Sequence, residues 1–201
     1  SIEANALIIH LNPLQELAQP QGDHNWSGVL SAIEKCCRTL DVPVIAKEVG
    51  AGIGPAAASS LLDTGVRCIE TAGRGGTNWT SIELARNASP QEREIMQPFI
   101  DWGMHTFELL PILHRLDSNL ELIGSGGIRH GLDVARCVRL GAKMSAMAQP
   151  FLAPAMESSR AVVDKIELFC EQLRRAMFLT GSIDLKSLRK APLSSVSLLT
   201  K

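Results

Sequence analysis

Short apolar runs alternate with amphipathic stretches along this chain, and tight turns rich in glycine follow several of the runs. That alternation constrains the fold more than any other feature. Residues 6–11, 43–49, 66–72, 120–124 and 143–148 read as five buried strands, because each is short, apolar and bounded by turn residues. Helices are predicted between them. Val29, Ile33, Cys36, Cys37 and Leu40 share one face of a helix over 29–40. Pro55 suits a helix start for 55–64, and further helices are expected over 106–116, 132–140 and 162–179. Residues 77–104 read as irregular, with Pro90 and Pro98 as breakers, and the tail after Pro192 reads as loose. Thr64-Gly65-Val66 and Leu140-Gly141-Ala142 form a weak internal echo: helix end, glycine, strand.

Strict β-α-β-α order implies a parallel sheet covered by helices. The residues able to do chemistry cluster just after strand ends. A (β/α)8 barrel and a doubly wound open sheet both place ligands there, so placement alone leaves both open.

Composition narrows the function. Lys and Arg total 20 and Asp and Glu 21, a net charge of −1, so no basic excess exists to neutralise nucleic-acid phosphates. The apolar runs fall far short of the roughly 18 residues a membrane span needs. Five cysteines without a C-x-x-C spacing read as reduced thiols of a cytoplasmic protein.

Four segments carry candidate chemistry. Ser125-Gly126-Gly127-Ile128-Arg129 follows a strand and precedes a helix, a setting in which backbone N–H groups and a helix dipole receive an anion. Gly73-Arg74-Gly75-Gly76-Thr77-Asn78-Trp79 follows the neighbouring strand and could share the same phosphate. Lys47 lies in an otherwise apolar strand, so it must meet solvent, a partner or a ligand anion. His10, Asn12, Gln15 and Glu16 gather polar groups at one strand end, and a carboxylate beside a diphosphate suits Mg²⁺. Asp23, His24 and Asn25 read as a solvated loop, His105 as a helix start and His114 as helix surface. Glu83 could reach the site, but ordinary helix surface is the expected place for it.

Taken in order, these segments resemble the type 2 isopentenyl-diphosphate delta-isomerases, FMN-dependent barrel enzymes. The carrying motifs are residues 9–16 (IHLNPLQE), 43–50 (PVIAKEVG), 72–79 (AGRGGTNW), 99–103 (FIDWG), 125–129 (SGGIR), 149–152 (QPFL) and 177–181 (MFLTG). The resemblance implies an α/β TIM (β/α)8 barrel, with this chain carrying strands four to eight. The chain opens Ser1-Ile2-Glu3 without a starting Met, so a C-terminal fragment is expected, residues 1–201 forming one partial barrel with a helical extension from about residue 160. It implies interconversion of isopentenyl and dimethylallyl diphosphates by a 1,3-allylic proton shift. Reduced FMN, Mg²⁺ and NADPH would be the cofactors, in a cytoplasmic homo-oligomer (tetramer or octamer). By the family pattern Gln15 would be catalytic, with His10 and Asn12 beside it on the substrate, and Glu16 would bind Mg²⁺. Lys47, Thr77, Gly126, Gly127, Ile128, Arg129, Met147 and Ala148 would hold FMN. Arg74, Asn78 and Gln149 depart mildly from the family's usual residues. Two other readings compete: an FMN-dependent hydroxy-acid oxidase or dehydrogenase, and a non-catalytic partial barrel.

Overall fold

The computed structural model describes residues 2–193. The predicted loose tail lies outside the described residues from 194 onward.

Five parallel strands form one sheet in sequence order: β1 (Leu7–His10), β2 (Val44–Lys47), β3 (Cys68–Glu70), β4 (Glu121–Gly124) and β5 (Met144–Ser145). All five expected strands exist, each shorter than its apolar run, but β1 and β5 lie at the sheet edges and are largely exposed rather than buried. Between β1 and β2 lie α1 (Pro13–Ala18) and α2 (Val29–Thr39); α3 (Pro55–Asp63) joins β2 to β3. After β3 come α4 (Trp79–Asn87), α5 (Pro90–Met96), a 3-10 turn (Gln97–Phe99) and α6 (Thr106–Leu116). After β4 come α7 (Gly131–Arg139), β5, α8 (Gln149–Glu157), α9 (Ser159–Leu179) and α10 (Leu185–Leu188).

The register sorts the side chains. Ala46, Ile69 and Leu122 align across β2, β3 and β4, and all three are fully buried. They pack with Ala58 and Leu61 of α3, and with Leu110 and Leu113 of α6. Burying a leucine in this way contributes about 1.5–3 kcal/mol. Successive side chains alternate faces, so His10, Lys47, Glu70, Ile123 and Met144 line up on the other face. That face carries the polar groups.

Residues 77–104 are the main correction. The expected irregular segment holds two α-helices. Asn78 accepts from the N–H of Ser81, and the Ser89 hydroxyl accepts from that of Glu92, so both helices are capped. Pro90 opens α5 instead of breaking it, because the first helical position needs no N–H donor. Pro13 does the same for α1, where a strand end was expected. Gly65 and Gly141 both take positive φ at helix ends, as the internal echo requires.

Candidate active site

Two glycine turns meet at the C-terminal edge of the sheet, because β3 and β4 are adjacent. The backbones touch. A Cβ on Gly126 would lie 2.0 Å from the Gly73 carbonyl oxygen, and one on Gly76 would lie 2.8 Å from the Gly127 nitrogen. Gly126 and Gly127 also take φ of +95° and +79°, so no other residue fits there without strain. Side chains lock the pair of turns. The Thr106 hydroxyl lies 2.8 Å from the Gly126 carbonyl oxygen, and the Ser125 hydroxyl accepts from the N–H of Ala72. Arg129 donates to the Gly75 carbonyl oxygen at 3.0 Å.

Between these turns and β5 opens a cavity of about 540 Å³. Lys47, Thr77, Gly126 and Gly127 line it, as do Ile128, Arg129, Met147 and Ala148. All eight residues expected at the flavin therefore line one cavity. Among the described residues, the N–H groups of Gly126, Gly127 and Ile128 donate to nothing. The first turn of α8, beginning at Gln149, faces the same space. Free amides of a glycine turn, with the dipole of a helix start facing them, make a cradle for a phosphate. The volume lies in the range typical of small-molecule and cofactor sites, about 300–1,000 Å³. The residues present thus fit FMN: amides for its phosphate, Met147 and Ala146 as walls, and Lys47 as a cation.

The other four expected residues lie beside this cavity rather than in it. Asn12 donates to Glu16 Oε1 at 2.8 Å and to Gln15 Oε1 at 3.3 Å. Gln15 Nε2 donates to Glu83 Oε1 at 3.2 Å. A small crevice containing Gln15 shares Val49, Gly50 and Trp79 with the main cavity, so the two regions adjoin. His10 sits at the end of β1, opposite Lys47. His10 is exposed at its rim, yet partial desolvation first, and the Lys47 charge second, lower its pKa below the usual imidazole value; Glu48, Glu16 and Glu70 push the other way.

Glu16 is held from two sides, since Oε2 also accepts from the N–H of Asp23 at 2.9 Å. Asp23 and His24 are exposed as expected, but their loop grips Glu16; His24 Nε2 lies 3.2 Å from the Glu16 carbonyl oxygen. No group of three or more His, Cys, Asp or Glu gathers to hold a metal among the described residues. A carboxylate offers about four lone-pair sites, so Glu16 keeps capacity for one cation shared with ligand oxygens and water.

Glu83 overturns its expectation as helix surface. It is 7% exposed, on the buried face of α4 with Thr80 and Leu84. The i, i+3, i+4 spacing of those three residues carried that signal. Two further carboxylates escaped sequence reasoning. Glu48 is buried, and its Oε2 accepts four backbone N–H groups, from Val49, Gly50, Ala51 and Gly52. Glu70 is buried in the cavity wall. His105 starts α6 as expected; its N–H donates to Glu108 and its ring meets the Arg74 carbonyl oxygen. His114 is exposed on α6, and His130 caps α7 by accepting from the N–H of Asp133.

The five cysteines are free. No helix is long and apolar enough to cross a membrane among the described residues.

Known proteins resemble this chain over most of its length. The chain is 49% identical over 196 residues to the isopentenyl-diphosphate delta-isomerase of Stutzerimonas stutzeri strain A1501, covering 98% of this chain and 57% of that protein. It is 44% identical over 188 residues to the enzyme of the same name from Nostoc sp., covering 94% and 54%. The chain thus spans just over half the length of these relatives. In structure it is similar to a mandelate oxidase, with a TM-score of 0.61 and 23% identity over 81% of this chain and 41% of that one. That likeness speaks for the fold alone: five consecutive strands of a (β/α)8 barrel. Residues 11–195 match the FMN-dependent dehydrogenase family, and the chain belongs to it.

Proposed function

We propose that the protein to which this chain belongs interconverts isopentenyl and dimethylallyl diphosphates. The observation that carries the reading is the chain of contacts Glu16–Asn12–Gln15–Glu83 beside the glycine cradle. An allylic shift needs a proton removed at one carbon and returned at another, so it needs groups that hold a proton next to the hydrocarbon. Glu83 is buried and its Oε1 accepts from Gln15 Nε2, so within this pair the Glu83 carboxyl, and not the amide, is the group able to take up a proton. Gln15 in turn is oriented by Asn12. The shared names of the curated relatives support the same substrate.

Reduced FMN would supply an electron-rich ring beside the reacting carbons. Its phosphate would take the amides of Gly126, Gly127 and Ile128, with Arg129, Met147 and Ala148 around it. Lys47 and Thr77 would meet the ring. Glu16 would hold Mg²⁺ on the substrate diphosphate, neutralising charge that the cavity has few cations to balance. His10 and Asn12 would flank the substrate. NADPH would be the reductant, in a cytoplasmic homo-oligomer.

The test is turnover by the full-length protein with FMN, NADPH, Mg²⁺ and isopentenyl diphosphate. Glu83→Gln is expected to lower kcat by about 100-fold or more, the usual contribution of a positioned proton carrier. Oxidation of a 2-hydroxy acid, with no isomerisation, would replace this reading with the oxidase one.

A further inference from the structure

Lys47 has two cross-strand neighbours on the cavity side of the sheet: His10 on β1 and Glu70 on β3. Its ammonium can lean toward either. In the structure Nζ donates to the Glu48 carbonyl oxygen at 2.8 Å and lies 4.0 Å from Glu70 Oε1. Glu70 is 8% exposed, lines the same cavity, and accepts no hydrogen bond among the described residues. Lys47 is the one cation paired with it among those residues. A carboxylate buried without a partner is costly, so each member of the pair constrains the other. The strand that carries Glu70 also leads into the Gly73–Thr77 turn.

We propose that Glu70 is the positioning residue for Lys47, turning its ammonium away from His10 and toward the glycine cradle where the flavin binds. The proposal rests on the flavin reading above. A lysine stem is long and flexible, and the backbone carbonyl of Glu48 alone leaves it several directions. The buried carboxylate on β3 selects one of them. Glu70 therefore helps an anionic ligand although it carries the same charge as that ligand.

This sign makes the test decisive. FMN affinity is measured by quenching of flavin fluorescence in the full-length protein, with no turnover required. If Glu70 acts through Lys47, Glu70→Gln weakens FMN binding by about tenfold, within the range for coupled neighbours. Glu70→Asp, which keeps the charge, stays within about threefold of the unaltered protein. In a Lys47→Gln background, Glu70→Gln has no weakening effect left to exert. Simple like-charge repulsion predicts tighter binding in Glu70→Gln, and that result overturns the proposal. A merely structural role predicts equal weakening in both backgrounds, which overturns it too. An unaltered protein that binds no FMN overturns the flavin reading and this proposal together.

Discussion

At the scale of single residues, charge placement governs the site. His10 shows how. Its pKa is lowered by partial desolvation and by Lys47, which sits opposite in the register. The folded chain therefore prefers the neutral imidazole. Stability from this residue is present above about pH 6.5 and is lost as pH falls through the lower folded midpoint. The expected outcome is an NMR titration midpoint for His10 below 6.5, moving up when Lys47 is replaced by Met. A midpoint unmoved by that replacement would detach His10 from Lys47. Residue identity was legible where chemistry restricts the choice. Glycines touching backbone, a lysine in an apolar strand and the HLNPLQE run all announced themselves. Glu70 did not, because a carboxylate at the end of an apolar strand reads as a solvated cap until the register puts it against Lys47.

At the scale of elements, the strand order was legible because each strand lies in a short continuous apolar run bounded by turn residues. The region 77–104 was not, since its helices are short and owe their starts to caps rather than to a long apolar stripe. Asn78 has two tasks there. Its side-chain oxygen caps α4, and its Nδ2 donates to the Ile100 carbonyl oxygen at 2.7 Å. Arg74, close by, donates to Asp101 at 2.7 Å. Both residues tie the segment around Ile100 to the second glycine turn. Asn78→Ala is expected to cost about 1–2 kcal/mol, the sum of a lost cap and an orphaned carbonyl. Asn78→Ser keeps the cap and should recover about half of that. Urea midpoints at constant slope measure both. Equal loss in the two variants would place the whole effect on the Ile100 contact.

At the scale of the whole molecule, the sheet's connectivity exposes what its core hides. Among the described residues, β1 and β5 each have one unpaired edge. The face that carries the active-site polar groups also bears Ile8, 52% exposed, and Met144, 59% exposed. The helix-facing row, by contrast, is sealed by α3 and α6. An open parallel sheet with apolar side chains at its rims is a template for pairing with another strand. The same geometry that brings four strand ends to one cavity thus leaves the cavity's flanks adhesive. The 201-residue chain by itself is expected to associate as its concentration rises. Ile8→Lys and Met144→Lys together should shift it toward monomer, because a charge on an edge strand opposes further pairing. Sedimentation velocity across a concentration series measures this. A chain that stays monomeric at every concentration would show that the exposed rims do not govern its association.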